Sequence, residues 1–547
     1  MEAPDLILTG ARILTMDPAR ARAESVALRG GRIVALGSRA QIEPLAGPQT
    51  TMRDLNGATV MPGFFESHMH LMLGGAQLAH LQIGTVSGAD ALTRAFRTFA
   101  AQHPDRPLLM AQGGNYGLLG HPMTRHDLDA VIGDRPIAIT APDQHTVWAN
   151  TVALKAAKLL HGAKTPAGHE VVMGDDGLAT GELREFEAFS PIIALAGETR
   201  VNLGIATGRD PSPWPDDAAR AIDRAIAARG LAHCARHGIT SIVNMDGNRY
   251  TLAILDELRS EGGLTARVKV PFHMKPEMTL ADLDEASAMH RDYADDWLTS
   301  GFVKLFMDGV LDSGTAYRLD GAGAAPLFSA AEFARIATDL DRRGLQIAVH
   351  AIGDGAVRQT LDGYEAARRT NGPRDSRHRI EHIEMIDPAD RSRLADLGVT
   401  ASLQPSHAPG AMDFDLGTLD LFSADRLGDI FLCRTLVEGG APLCFASDWP
   451  VADVSVLRSV KAAMTRPAFG SAPHQRMGLD ATLAAYTCGG AWAAHRDHIT
   501  GRLAVGMAAD LVALNTDIEA TAAASIDALS VDLTIAGGRV TYDRAAG

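Results

Sequence analysis

The chain reads as an α/β protein: a (β/α)8 barrel, a TIM barrel, with a discontinuous small β-sandwich built from both termini and an inserted subdomain after barrel strand 1. Three observations predict this. Eight apolar, β-branched runs lie at 60–71, 239–245, 268–274, 301–307, 346–351, 379–385, 400–404 and 442–447. Continuous apolar runs of this length suit parallel strands buried on both faces. Stretches with helical periodicity separate them, at 217–237, 330–343, 355–369 and 388–397. The two ends of the chain share a different character, short strands punctuated by glycine.

Taken in order, 5–10 and 11–16 are short β-prone runs, and 25–28 and 32–36 flank Arg29-Gly30-Gly31, a hairpin signal. At the other end, 510–514 and 533–536 are apolar, and Gly537-Gly538-Arg539-Val540 repeats the hairpin flavour. Residues 1–60 and 501–547 are therefore expected to form two halves of one sandwich, and 61–500 the barrel. Residues 72–238 are too long for one crossover. They hold strand signals at 107–110 and 136–140, a polar, Gly-rich patch at 161–181 and a Pro-rich loop at 210–215. An insertion after a strand's C-terminal end is expected over the barrel mouth, where it shapes the substrate pocket.

Bulk properties narrow the classes. The 547 residues are 46% hydrophobic and 21% charged, as in an ordinary soluble enzyme. A formal charge of −15 argues against nucleic acid and anionic membranes as partners. Cys234, Cys433, Cys444 and Cys488 form no Cys-x-x-Cys pair and no disulfide framework. No signal peptide and no apolar run of membrane-spanning length is visible, so a cytoplasmic location is expected.

In such a barrel the polar residues at C-terminal strand ends carry the chemistry. His68 and His70 end the first run, on one face if the run is a strand. Lys304 lies inside the fourth run, where burial should lower its pKa. His350 ends the fifth, His382 belongs to the sixth, and Asp448 ends the eighth. His382 follows His350 by 32 residues, close to one βα unit, and Asp448 follows His382 by 66, about two. Histidine and carboxylate donors from separate strands suit Zn²⁺, or a harder ion such as Mn²⁺.

These residues carry a resemblance. Pro62-Gly63-Phe64 before His68-Met69-His70, Val303-Lys304-Leu305-Phe306 before Asp308-Gly309, and Val349-His350-Ala351-Ile352-Gly353-Asp354 are three of its parts. Arg379-Ile380-Glu381-His382, Ser447-Asp448-Trp449-Pro450 and Gly506-Met507-Ala508-Ala509-Asp510 complete it. The chain resembles the metal-dependent amidohydrolase superfamily, and within it the YtcJ-like branch that includes N-substituted formamide deformylase. The resemblance implies His68, His70 and Asp448 on one divalent metal and His350 and His382 on a second. It implies Lys304 bridging both as a CO₂-derived carbamate, and Asp448 moving the proton of a metal-activated hydroxide. It implies a small-molecule substrate with a carbon–nitrogen bond (amide, N-acyl or N-formyl), two Zn²⁺ with Mn²⁺ as the variant, and a possible homodimer.

Pocket residues are carried over in the same way. Asp143-Gln144-His145-Thr146-Val147-Trp148 matches a motif in which Asp-Gly-His is usual, with Gln144 in the glycine's place; His145 and Trp148 are substrate-binding candidates. Asp308 opens a loop in which Asp312 and Gly314 replace the branch's usual Gly and Arg; Asp308 is a further candidate. Gln404 and His407 follow the seventh run and are candidates too. Glu381 could orient a ligand, whereas His233 and His237 are expected outside the site. The alternatives are an ester or lactone hydrolase, or a deaminase on the same scaffold. Deaminases of the superfamily generally lack the strand-four lysine and carry a Glu soon after the strand-five histidine; here Lys304 is present and no Glu follows His350 within ten residues.

Overall fold

The computed structural model describes residues 2–142, 144, 146–165, 169–412 and 416–546. The chain divides into two units, residues 1–71, 204–210 and 231–547, and residues 72–203 and 211–230. The second unit is thus shorter than the 72–238 insertion expected from sequence.

The first unit is built on parallel strands: β1 (Phe64–Met69), β2 (Ile239–Asn244), β3 (Arg267–Lys269), β4 (Phe302–Phe306), β5 (Gln346–Ala351), β6 (Arg379–His382), β7 (Thr400–Leu403) and β8 (Leu443–Phe445). β1, β2 and β3 pair in one sheet and β4 to β8 in a second, each pair parallel. The run 268–274 is not one strand. Its first part belongs to the first sheet, and Phe272–His273 pairs with β4 in the second. Pro271 has no amide hydrogen to give to a ladder, so pairing changes partner there.

The run 60–71 also divides. Thr59–Pro62 pairs with Leu511–Leu514, and β1 begins only after Gly63. A Cβ on Gly63 would stand 2.2 Å from Thr240 Oγ1, so only glycine lets the chain cross β2 this closely. β8 meets β1 through Asp448 N–H to His68 O (2.9 Å) and His70 N–H to Trp449 O (2.7 Å).

The N-terminal end supplies strands to two small sheets, and the C-terminal end joins one of them. One has the order Arg32–Gly37, Ser25–Arg29, Leu6–Thr9, Thr51–Asp54. The other runs Arg539–Asp543, Val531–Ala536, Leu511–Leu514, Thr59–Pro62, Arg12–Leu14, Arg22–Ala23. Leu8, Val26 and Ile33 from the first pack with Ile13, Val60, Leu511 and Ile535 from the second. Neither end has enough apolar area alone, so the shared core ties them together.

Helix formation follows local rules. Ser329 Oγ accepts Glu332 N–H and starts Ala330–Arg342, whose Phe333, Ile336, Ala337 and Leu340 are buried at i, i+3, i+4, i+7. In the second unit, six strands pair in the order Glu170–Met173, Ala179–Arg184, Thr146–Ala149, Ile137–Thr140, Leu109–Gln112, Leu81–Gln82. The polar patch at 161–181 thus contains a hairpin. Its first strand buries only Val171, so its composition reads as loop. Among the described residues no helix is long and apolar enough to cross a membrane.

Candidate active site

His68, at the end of β1, and His70, one residue beyond it, both turn Nε2 toward Asp448. Asp448 Oδ1 lies 3.3 Å from His68 Nε2 and 3.1 Å from His70 Nε2. His382 joins them from β6: one donor atom each from His68, His382 and Asp448 lie within 4.8 Å of one another, all three residues buried. His382 and Asp448 hold positive φ, 78° and 60°, as does Ile383 at 46°. Non-glycine residues keep this backbone only where surroundings impose it, and such strain clusters at functional sites.

The other nitrogen of each imidazole is fixed by a partner. His68 Nδ1 is 2.8 Å from Glu381 Oε2, His70 Nδ1 is 2.5 Å from Asp246 Oδ1, and His382 Nδ1 is 2.9 Å from Gln404 Oε1. Metal-binding histidines are held this way, with one ring nitrogen on an acceptor and the other presented inward. The two strand-one histidines differ electrostatically. Burial and Lys304 push His68 down to about 4. Burial opposes charging of His70 as well, but Asp246 and Asp448 prevail and lift it to about 10. A cation bound there would displace that proton.

Lys304 and His350 share the site's face. In the β4–β5 register Lys304 pairs with Ala348 and Phe306 with His350, so all four side chains point one way. The His350 ring lies 4.5 Å from that of His382, and its Nε2 is 3.1 Å from Gly309 O. Lys304 is fully buried, its Nζ has no hydrogen-bond partner among the described residues, and burial pulls its pKa to about 8. The donor chemistry therefore fits a divalent cation: imidazoles and one carboxylate, buried and oriented, beside an amine with nothing to bind.

Three supporting residues were not singled out from sequence. Asp246, at the end of β2, orients His70. His273 pairs in register with Lys304, so it faces the same side; it is fully buried, stacks on Phe306, and neither ring nitrogen has a hydrogen-bond partner among the described residues. The strand-end rule applied to the third run would have found it. Glu66 lies beneath His68 and closes the β8–β1 seam: its Oε1 accepts Ser447 N–H (2.9 Å) and His68 N–H (3.3 Å). Burial raises Glu66 to about 8. An acid with a raised folded pKa loses stability as pH climbs from about 4.5 through 8, because the folded chain must ionise it. Glu66→Gln keeps an acceptor oxygen and removes the titration. Its melting temperature relative to the wild type is expected to rise from pH 4 to pH 9; a difference that stays the same across that range would refute this.

The proposed pocket residues separate. Gln404 lies in the site, its Oε1 on His382 and its Nε2 without a partner. His407 stacks parallel on His382, with ring centroids 6.2 Å apart, and its Nε2 is 4.0 Å from Asp448 Oδ2. Asp308 corrects the expectation of substrate contact. Its oxygens accept the backbone N–H groups of Ile352 (3.0 Å), Gly353 (2.9 Å) and Tyr317 (2.9 Å), so it pins loops together. Trp148 corrects it too: it is buried in the apolar core of the second unit with Leu109, Leu128 and Ile139. His145 lies outside the described residues. Gln144 adopts φ 65°, a left-handed backbone that glycine adopts freely. His233, on helix Asp217–Arg236, and His237, just past its end, pair with each other, with ring centroids 4.8 Å apart.

Comparison with known proteins defines the class. Residues 51–542 match the model of the amidohydrolase family (Amidohydro_3), and the chain belongs to that family; it is a hydrolase. It is 25% identical to the putative amidohydrolase YtcJ of Bacillus subtilis, over 98% of this chain and 99% of that one. It is 26% identical to N-substituted formamide deformylase of Arthrobacter pascens, over 99% and 98%. Among solved structures, an uncharacterized metal-dependent hydrolase from Pyrococcus horikoshii shares the fold, with TM-score 0.74 and 23% identity over 95% of this chain and 99% of that one.

Proposed function

We propose that the protein hydrolyses a carbon–nitrogen bond of a small amide, N-acyl or N-formyl compound. The observation that carries this reading is the buried cluster of His68, His382 and Asp448 donors. The likeness to N-substituted formamide deformylase supports the bond type. In this reading the eight parallel strands close a (β/α)8 barrel with the cluster at their C-terminal ends. His68, His70 and Asp448 would hold one divalent cation and His350 and His382 a second, Zn²⁺ or Mn²⁺. Such cations activate water for attack and polarise the scissile carbonyl.

The chain's own residues do the rest. Asp448 receives the proton of the attacking water and passes it to the departing nitrogen, for which it must start ionised. Burial opposes that, but His68 and His70 hold its carboxyl well below the usual range. Lys304, with its amine about half neutral at pH 8, adds to CO₂, forming an N–C bond and releasing a proton; the resulting carbamate supplies two oxygens where the bare amine had no partner among the described residues. Gln404 and Asp246 keep the imidazoles oriented.

The test is metal analysis with a screen of formamides, N-acyl compounds and aryl amides. The wild type should hold stoichiometric metal and hydrolyse members of the screen, and Lys304→Ala and Asp448→Ala should lose metal. Metal retained unchanged by both variants would sink the assignment. At fixed dissolved CO₂, reconstitution should also speed up about fifteenfold from pH 6.5 to pH 8, following the neutral fraction of an amine with a pKa of about 8. A pH-independent uptake rate would refute the carbamate.

A further inference from the structure

Two buried polar groups on neighbouring strands lack partners, and they face the same way. The short strand Phe272–His273 pairs with β4 in parallel register, with Phe272 opposite Val303 and His273 opposite Lys304. Residues opposite each other in a sheet project to one side. Met274 N–H holds this register by donating to Lys304 O at 2.9 Å. Both side chains are fully buried, and among the described residues neither Lys304 Nζ nor either ring nitrogen of His273 has a hydrogen-bond partner. Phe306, two residues along β4, meets both. Its ring stacks on that of His273 at 5.5 Å, with the planes 8° apart, and Lys304 Nζ lies 5.0 Å from its centre.

An imidazole has one N–H when neutral and two when charged, so His273 must donate in either form. A buried donor without an acceptor is costly. No acid answers it: the charges that act on His273 are those of Lys275, Lys304 and His70. Lys275 Nζ is itself engaged, donating to Ile205 O at 2.7 Å. Lys304 as an ammonium is a donor only, and two donors side by side answer neither. As a carbamate the same side chain carries two acceptor oxygens, two bonds farther out on the face that His273 shares. One modification then gives both groups a partner.

We propose that His273 donates a ring N–H to the carbamate on Lys304 and fixes the plane of its two oxygens. His273 is thus a positioning residue for the carbamate. This rests on the carbamate reading above and deepens it. The covalent step is still the addition of the lysine amine to CO₂ with loss of one proton; His273 takes no part in it and holds the product. Because the acceptor is charged, the bond is of the stronger kind. The Phe306 ring stacked on the imidazole keeps its plane, and so the direction of the N–H, from swinging away.

The test titrates the full chain, supplied with Zn²⁺ at pH 8, with ¹³C-labelled bicarbonate. The carbamate carbon is read by ¹³C NMR, with Lys304→Ala as the blank that identifies its signal. His273→Leu, which has no donor, should need roughly ten- to a hundredfold more dissolved CO₂ for half-loading than the wild type, the worth of a hydrogen bond to a charged group. His273→Gln, which keeps an N–H, should recover part of that. Thermal melting separates this from packing: loss of the bond should shrink the gain in melting temperature that CO₂ and Zn²⁺ bring, whereas a packing role would lower melting equally with and without them. An equal CO₂ requirement in the wild type and His273→Leu, or an equal loss of melting temperature in both conditions, overturns the proposal. If the variants do not fold, a crystal structure of the CO₂- and zinc-loaded wild type gives the answer. A His273 nitrogen within hydrogen-bond distance of a carbamate oxygen supports the proposal; a zinc ion or a water in that place overturns it. The readings fail separately. A carbamate that forms as readily without His273 removes only the positioning role. A wild type that forms none removes the carbamate together with this bond, and turnover of amides still tests the hydrolysis.

Discussion

Asp448→Asn is expected to lower kcat/KM by roughly 10³-fold, within the range that a positioned acid–base group supplies. The substitution isolates chemistry from folding. Asp448 sits at φ 60°, a backbone that asparagine tolerates better than most residues, and the two side chains have nearly the same shape. Asparagine lacks the negative charge that the approach of His68 and His70 to Oδ1 requires, and its amide cannot take up a proton. Because His68 and His70 hold the Asp448 carboxyl far below neutrality, the wild-type rate should show no loss from its protonation between pH 6 and 8. The checks are kcat/KM, bound metal, and circular dichroism on the same preparation. A folded variant with undiminished turnover would remove Asp448 from the proton pathway.

What the sequence made legible was tied to contrast. A histidine or lysine ending an apolar run stands out, and β-strand geometry says which way it points; His68, His350, His382 and Lys304 are of this kind. The same contrast misleads where a polar group serves the backbone. Asp308 ends an apolar run just as Asp448 does, yet its oxygens are occupied by three amides of two distant loops. Nothing local distinguishes the two, because the difference lies in residues up to 45 positions away. Trp148 shows the complementary limit: an aromatic residue in a motif suits a ligand or a core equally well, and burial decides.

Other features were hidden for a related reason. Asp246 acquires meaning only from His70, 176 positions earlier. The strand boundaries at Gly63 and Pro271 follow from single-residue properties, but period and hydrophobicity pass through both sites unbroken, so 60–71 and 268–274 each read as one strand. The joining of the two chain ends was legible because neither end's short strands could form a core alone.

Arg379→Met is expected to destabilise the first unit by about 3–5 kcal/mol, the usual result of removing one partner of a buried ion pair. Arg379 is 1% exposed and donates to Glu381 Oε1 (2.8 Å) and Oε2 (3.0 Å), to Ser67 O (2.8 Å) and to Ser402 Oγ (2.9 Å). It thereby ties β6 to β1 and β7 directly beneath His68. Burial alone would raise the Glu381 carboxyl; Arg379 and His68 instead hold it well below the usual range. A depressed acid contributes stability above its unfolded pKa and loses it as pH falls. The penalty for Arg379→Met should therefore be full at pH 7 and shrink toward pH 4, where the orphaned Glu381 can take up a proton. Adding Glu381→Leu should recover much of the stability at pH 7 by removing the unpaired charge, yet weaken metal retention, because His68 then loses the acceptor on its Nδ1. Denaturant unfolding of the single and double variants, alongside metal content, separates the two roles. If the double variant were as unstable as the single one, the cost would lie in lost packing and backbone bonds, not in the stranded carboxylate.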